Sequence, residues 1–239
     1  MVSDAVDGSV VDDGVASNEL QSRLRSVQGS VADAARSAGR DPSEITTIVV
    51  TKFHPAGLVR ELHGLGVRDF GENRHQEARD KAAAVSDLEL NWHFVGQLQS
   101  KKARQVRAYA DVIHSLDRPS VVDALHSDGE AVECFVQLNL TGDPGRGGVA
   151  DAELESLTER ILATSGIRLL GVMAVAPLGV EPRRAFARVR AASERVMALA
   201  PEARFISAGM SADFADAIAE GATHLRIGTA ITGNRPTAG

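Results

Sequence analysis

The chain has 239 residues, of which 44% are hydrophobic and 24% are charged, so it can bury one substantial core. Its formal net charge of −6 argues against a general nucleic-acid binder. Cys134 is the only cysteine, which excludes an internal disulfide, and no apolar run is long enough for a membrane helix. We therefore expect a cytoplasmic protein without a membrane segment or an export signal.

The N-terminal region divides into two parts. Residues 1–16 are rich in Asp, Gly, Ser and Val without a period that could bury one face, which predicts a disordered acidic tail. Ser17 is a typical N-cap for a helix that runs to about Ala38 and stops at Gly39. The apolar stripe of this helix consists of Leu20, Leu24, Val27, Val31 and Ala35.

From residue 46 onwards the pattern alternates between strands and helices. Short apolar runs predict strands at 46–52, 67–71, 91–96, 111–115, 132–139, 167–173, 203–207 and 223–227. Segments with helical spacing lie at 56–65, 73–85, 100–109, 119–127, 151–164, 182–199 and 211–220. Eight such units predict an α/β fold, a single (β/α)8 TIM-type barrel with an extra N-terminal helix. The barrel domain is expected over 17–235, followed by a C-terminal tail over 236–239.

Lys52 is the candidate nucleophile because it ends the first predicted strand. Burial at such a position lowers the pKa of an amine towards the range where it can attack a carbonyl group. In a closed barrel the eighth strand pairs with the first, so Arg226 is expected beside Lys52. Two neighbouring cations predict an anion or an acceptor between them.

Two short loops near the end of the chain predict a phosphate site, because the loops after strands seven and eight of such barrels often hold phosphate. Their hydroxyl and backbone N–H groups come from Ser207, Gly209, Met210, Ser211, Gly228 and Thr229. Ser211 is also predicted to open the next helix as its N-cap. A reactive amine together with a phosphate site indicates pyridoxal 5′-phosphate (PLP).

Several ordered motifs carry a family resemblance over roughly residues 17 to 235. They lie at 50–52, 70–73, 92–102, 114–117, 171–174, 207–211 and 225–231. With these motifs the chain resembles the pyridoxal phosphate homeostasis proteins, which are single PLP-binding barrels like the N-terminal domain of alanine racemase (fold type III).

The resemblance implies that Lys52 carries PLP as a covalent imine and that Arg226 faces the pyridine nitrogen. Ser211, Gly228 and Thr229 would hold the phosphate with neighbouring backbone, and Asn73 would lie near the cofactor. It implies a monomeric PLP carrier that supplies the cofactor to apo-enzymes without strong turnover, and thus no catalytic residue.

Three positions depart from the family pattern. Lys101 stands where asparagine is common, Gln97 where histidine is frequent, and His54 where proline or an aromatic residue is usual. None belongs to the amine or phosphate motifs, so the departures affect only roles at the rim of the site.

An amino-acid racemase of the same fold is the main alternative. Racemases also use a tyrosine base from a second domain, whereas Tyr109, the only tyrosine, falls in the helix after strand three, and no second domain is expected after strand eight. Arg226 opposite the ring nitrogen would favour an unprotonated ring, which is a weak electron sink. A lysine Schiff-base aldolase is a third class, and it would be colourless because it needs no cofactor.

The remaining polar features have ordinary structural interpretations. The basic segment 101–107 is typical of a solvated helix face, although its cations could await an anion that the sequence does not identify. The seven histidines lack metal-ligand spacing, so no metal site is predicted. His93, His114 and His224 are expected in the core or at its rim.

Overall fold

Eight parallel strands pair in sequence order, and the last strand closes on the first. This computed structural model describes the backbone of residues 10–234 and the side chains of residues 17–143 and 145–234. The strands are β1 Thr46–Val50, β2 Asp69–Glu72, β3 Asn91–Phe94, β4 Val112–Leu116, β5 Val132–Gln137, β6 Ile167–Met173, β7 Phe205–Ser207 and β8 His224–Ile227. The predicted closed barrel is therefore confirmed.

One helix precedes the first strand, and each of the eight strands is followed by a helix on the outside of the barrel. They are α1 Val10–Ser37, α2 Ala56–Gly64, α3 His75–Ala84, α4 Ala103–Arg107, α5 Pro119–Leu125, α6 Leu154–Leu162, α7 Pro182–Leu199, α8 Phe214–Ala219 and α9 Thr229–Thr232. Short 3-10 turns lie at Pro42–Glu44, Ser100–Lys102, Pro144–Arg146 and Asp151–Glu153. Two of these turns replace the first residues of helices predicted at 100–109 and 151–164, and α9 was not predicted.

The first helix begins earlier than its predicted N-cap, Ser17. Residues 10–16 are helical, so the prediction of a disordered tail is wrong for them, whereas residues 1–9 lie outside the described part of the chain. Extending a formed helix is much easier than nucleating one, which allows it to continue beyond its packed stripe. The predicted stripe itself is confirmed, because all five of its side chains are buried.

Helix α1 packs against α8, which precedes β8 in the sequence, and against α9, which follows it. Arg23 Nε donates to the carbonyl oxygen of Ile231 at 2.9 Å, and Arg40 donates to that of Ala222 at 2.6 Å. The N-terminal helix and the residues just after it therefore hold the segments on both sides of β8.

The barrel interior is partly apolar and partly polar. Val112, Phe135, Leu170 and Met173 form a small apolar cluster inside the barrel, separate from the large core under the helices. At Gly171 a side chain could not fit, because a Cβ atom would lie 1.9 Å from the carbonyl oxygen of Phe205. This close approach of β6 to β7 requires glycine.

Closure sets the relation between the two ends of the barrel chain. Ile48 on β1 pairs with Arg226 on β8, and Val49 pairs with Ile227. Alternate residues of a strand point to the same face, so His224 and Arg226 share one face of β8. The carboxyl ends of β1 and β8 consequently open towards the same end of the barrel.

Candidate functional site

A cavity of about 560 Å³ lies at the carboxyl end of the strands. The loops after β1, β2, β3, β6 and β7 contribute to it, together with the end of β8 and α9. Its lining residues are Val50, Lys52, Phe53, His54, Asn73, Val95, Val175, Met210, Ser211, Ala212, Arg226, Gly228, Thr229, Thr232 and Gly233. The volume is in the range of small-molecule and cofactor sites.

Lys52 lies two residues beyond the end of β1 and lines this cavity. Its side chain is exposed, so the expected burial of the amine is wrong. The strand ends at Val50, earlier than predicted, and the chain turns at Lys52 instead of continuing as a strand. The Nζ atom lies 5.9 Å from the centre of the Phe53 ring.

A largely buried ionic group of Glu72, Glu77 and Lys81, called here the lysine cluster, lies behind this turn and contacts Thr51. Lys81 Nζ donates to the Thr51 carbonyl oxygen at 2.8 Å, to Glu77 at 3.2 Å, and to Glu72. The Thr51 hydroxyl donates to the same Glu72 oxygen at 2.7 Å. Burial raises the pKa of Glu72, although the bonds from Lys81 and Thr51 oppose that shift. The sequence analysis missed Lys81, because a Glu77–Lys81 spacing on a helix is typical of a solvated pair.

Arg226 is buried, with 6% of its surface exposed, and it lines the cavity. Its guanidinium donates to the Ser207 hydroxyl at 2.6 Å and to the Ala174 carbonyl oxygen at 2.8 Å. Among the side chains that the structure describes, no carboxylate forms an ion pair with Arg226. Burial lowers the pKa of Arg226 to about 10, although the charge of Asp213 opposes that shift, and Arg226 stays protonated at neutral pH. The site thus contains a buried cation whose hydrogen-bond partners are neutral.

Arg226 and Ser207 begin a hydrogen-bonded chain that continues through His114 and His93 to Asp69. It is called here the histidine chain. His114 Nδ1 lies 2.9 Å from the Ser207 hydroxyl, and His114 Nε2 lies 3.0 Å from His93 Nδ1. His93 Nε2 lies 3.1 Å from Asp69 Oδ1. The chain therefore runs through the barrel interior from Arg226 to the amino end of β2. As predicted, His93 and His114 are core residues.

The direction of each bond in the histidine chain follows from its ends, because a guanidinium only donates and a carboxylate only accepts. With both rings neutral, Ser207 donates to His114, His114 donates to His93, and His93 donates to Asp69. Burial lowers the pKa of His114 well below its ordinary value, and the neighbouring His93 and Arg226 add to that shift. A neutral His114 ring fits this assignment.

The predicted phosphate loops divide into two groups. Ser211, Gly228 and Thr229 line the cavity, as does Met210, whereas Ser207 does not, because its hydroxyl is bonded to Arg226 and His114. Ser211 is not an N-cap. The helix begins only at Phe214, after a turn.

Asp213 holds that turn, since its side chain accepts from the Met210 backbone N–H at 2.6 Å. Gly209 is also absent from the lining and serves the packing of this loop. Its φ is +95°, and a Cβ atom there would lie 2.8 Å from the Ala217 Cβ. Its carbonyl oxygen accepts from the Arg226 backbone N–H at 3.0 Å.

Asn73 lines the cavity just after β2, and its side-chain oxygen is buried without a hydrogen-bond partner. A buried acceptor without a partner is costly, so this oxygen is suited to a polar group within the cavity. The donor and acceptor set of Lys52, Asn73, Ser211 and Arg226 fits a small anionic ligand that carries a carbonyl group and a ring acceptor.

The other polar features of the sequence lie away from the cavity, apart from His54, which lines it. Burial lowers the pKa of His54, and the nearby Lys81 charge adds to the shift. Tyr109 does not line the cavity but stacks on His75. In the basic segment, Arg107 donates to the carbonyl oxygens of Leu125, Glu130 and Gly166.

The described residues contain neither a membrane-spanning helix nor a cluster of metal ligands. No helix among them has the length and apolar character needed to cross a membrane. No group of three or more histidine, cysteine, aspartate or glutamate side chains in the described part of the chain is arranged to hold a metal ion.

Comparison with known proteins gives the same picture. The family model "Alanine racemase, N-terminal domain" matches residues 30–236. A pyridoxal phosphate homeostasis protein of Pseudomonas aeruginosa is 38% identical, covering 90% of this chain and 96% of its own length. PipY of Synechococcus elongatus, solved with PLP bound, is 34% identical with a TM-score of 0.77, covering 90% of this chain and all of PipY.

A more distant structure shows the fold alone. Alanine racemase of Corynebacterium glutamicum is 16% identical with a TM-score of 0.62, and the match covers 90% of this chain but 62% of the racemase. Sequence identity above 30% over nine tenths of the chain, a matching family model and the closed eight-stranded barrel agree. The chain therefore belongs to the family of pyridoxal phosphate homeostasis proteins.

Proposed function

We propose that this protein binds PLP in the cavity at the carboxyl end of the barrel, limits the free concentration of the cofactor and supplies it to apo-enzymes. The observation that carries the proposal is the pair of cations that line one cavity. Lys52 offers an exposed amine, and Arg226 offers a buried guanidinium without a carboxylate partner. An aldehyde that also carries a phosphate and a ring nitrogen suits this pair.

Each polar group of the cavity has a part in the proposal. Lys52 would hold the cofactor covalently through its aldehyde group. Arg226 would hold the ring nitrogen, and Ser211, Gly228 and Thr229 would hold the phosphate. The unpartnered Asn73 oxygen would accept from a polar group of the cofactor. When bound, PLP supplies an electrophilic aldehyde and an electron sink.

The comparisons support the choice of ligand. Relatives at 35–38% identity are named pyridoxal phosphate homeostasis proteins, and PipY, at 34% identity, was solved with PLP bound. We extend the same ligand to this chain, and we propose that it acts as a cytoplasmic monomer.

The proposal includes the absence of strong turnover. Arg226, as a permanent cation, favours an unprotonated ring nitrogen and hence a weak electron sink. Racemisation also needs a base on each face of the substrate α-carbon, and Lys52 can serve only one of them. Tyr109 does not line the cavity. Amino-acid racemisation is the alternative, favoured by the fold shared with alanine racemase.

Borohydride reduction tests the covalent step. Purified protein incubated with PLP should develop a visible absorption band, and reduction followed by peptide mapping should locate the adduct on Lys52. Lys52→Arg keeps the positive charge and should abolish the adduct, whereas Lys101→Ala, at an exposed lysine, should leave it unchanged. An adduct of undiminished yield on another lysine would refute the assignment.

Competition between two forms of the vitamin tests the phosphate site. Charge-assisted hydrogen bonds are worth about 1.5 to 3 kcal/mol each, so Ser211→Ala should weaken PLP binding by roughly one to two decades. Pyridoxal, which lacks the phosphate, should bind far more weakly than PLP. Equal affinities for the two compounds would contradict a phosphate site.

Two measurements separate a carrier from an enzyme. With L-alanine in deuterated water, a carrier should show neither α-deuterium incorporation nor D-alanine, while lysine-dependent turnover to the D-isomer would promote the racemase alternative. Reactivation of a PLP-dependent apo-enzyme by the loaded protein should be faster than spontaneous release of PLP into solution. A rate no faster than release would exclude direct transfer.

A further inference from the structure

The residues on both sides of Lys52 are bonded to the lysine cluster. Thr51, which precedes Lys52, is held through its carbonyl oxygen by Lys81 and through its hydroxyl by Glu72. Phe53, which follows Lys52, donates its backbone N–H to the Glu77 side chain at 2.5 Å. One largely buried ionic group therefore holds both neighbours of Lys52.

The backbone between these anchors forms a tight turn. His54 N–H donates to the Thr51 carbonyl oxygen at 3.0 Å, which places Lys52 and Phe53 at the two central positions. Phe53 has a φ of +69°, and it is the only non-glycine residue of the described chain in the left-handed region. A turn with positive φ at its third position favours glycine, so a bulky residue there persists only where the surroundings impose it.

All three N–H donors of the Lys81 ammonium have acceptors in this arrangement. An ammonium has three N–H donors, and those of Lys81 are directed to Thr51, Glu72 and Glu77. The Lys81 side chain is 4% exposed, so water does not replace these bonds easily. The same ammonium thus joins a backbone oxygen before Lys52 to the carboxylate that holds the backbone after it.

We infer that Lys81, with Glu72 and Glu77, is a positioning residue for the cofactor amine: the lysine cluster holds the strained turn that directs Lys52 to the cavity. This inference rests on the proposed function, because it concerns the amine that binds PLP. A cluster that only stabilised the fold would not need bonds to both neighbours of Lys52.

The test compares two ligands that differ only in the group that reacts with the amine. PLP has an aldehyde, whereas pyridoxine 5′-phosphate has an alcohol and cannot form a Schiff base. Glu77 is the position to change first, since its side chain is 25% exposed and its loss leaves the Lys81–Glu72 pair intact. Melting temperatures and circular dichroism would establish that each variant is folded.

Glu77→Ala removes the acceptor of the Phe53 N–H. Losing one charge-assisted hydrogen bond should reduce the apparent affinity for borohydride-fixed PLP by about tenfold, while affinity for pyridoxine 5′-phosphate should stay within about twofold. Glu77→Gln keeps an oxygen acceptor and should recover most of the adduct. Arg79→Ala, on the exposed side of the same helix, should behave like the unchanged protein. Lys81→Met should show the same selective loss, with a larger magnitude.

Two outcomes overturn the inference. In folded Glu77→Ala, an equal loss for both ligands means that the cluster acts on the whole cavity, and an unchanged adduct means that it does not position Lys52. Adduct formation by the unchanged protein is the separate control for the proposed function. If the unchanged protein forms no adduct on Lys52, both proposals fail, whereas an adduct that is insensitive to Glu77→Ala removes only this inference.

Discussion

The two cations of the cavity are supported by different chemistry. Lys52 is exposed, and the largely buried lysine cluster behind it consists of full charges in direct contact. Arg226 is buried, and the histidine chain behind it presents neutral groups, with its carboxylate at the far end.

The difference fits the roles that we propose for the two cations. Under that proposal the amine of Lys52 must remain mobile and accessible, and only the backbone beside it is held. A guanidinium that acts as a fixed donor can be held directly, as Arg226 is by Ser207 and Ala174. The protein thus places one cation through its backbone and the other through its side chain.

The largest effect is expected from breaking the lysine cluster. Lys81→Met leaves two carboxylates near Thr51 without their cation, and loss of one partner of a buried ion pair costs about 3–5 kcal/mol. Urea unfolding followed by fluorescence of Trp92, the single tryptophan, would measure this loss. Arg60→Met breaks an exposed pair with Asp87 and should cost far less than Lys81→Met. Similar losses in the two variants would mean that the cluster carries no special stability.

A pH-dependent effect should arise beside the histidine chain. Burial lowers the pKa of His224 from 6.5 to about 4, and the neighbouring His93 and Arg226 contribute while Asp69 opposes the shift. The unfolded chain therefore binds a proton that the folded chain does not, and stability falls as the pH decreases from about 6.5 towards 4.

Between pH 7.5 and pH 5 this single group should cost about 2 kcal/mol. His224→Gln should remove that part of the pH dependence and leave the remainder, as measured by urea unfolding at both pH values. If the variant and the unchanged protein lost equal stability on acidification, the histidine would not be neutral in the folded state.

The smallest effect is expected where a neutral link is removed. Ser207→Ala takes away the hydroxyl between Arg226 and His114, and we expect a loss of roughly 1–2 kcal/mol because hydrogen bonds to charged groups are worth about 1.5–3 kcal/mol. Ser100→Ala, which breaks an exposed bond to Ser120, should cost less than about 0.5 kcal/mol. If Ser207→Ala lowered the free energy of unfolding as much as Lys81→Met, the lysine cluster and the histidine chain would not differ in strength.

Much of the fold could be predicted because strand and helix periods are local properties. All eight strands lie within three residues of the predicted bounds, and the stripe of α1 is buried as expected. Boundaries failed where tertiary contacts compete with propensity. Ser211 has the chemistry of an N-cap, but Asp213 holds a turn there and delays the helix to Phe214.

The candidate site was predicted in part. Lys52, Asn73, Ser211, Arg226, Gly228 and Thr229 line one cavity with Met210, because the carboxyl ends of parallel strands in a barrel converge. Ser207 and Gly209 were assigned to the same loop by type, yet one supports Arg226 and the other packs against α8.

The sequence by itself determined the strand and helix order, the family motifs and the end of the barrel where the polar loops meet, since these depend on local pattern and on chain connectivity. Only the tertiary structure decided that Lys52 is exposed, that Lys81 is buried and that Arg226 is held through Ser207. Burial and hydrogen-bond partners depend on atoms far apart in the chain, and a local pattern contains no information on those distances.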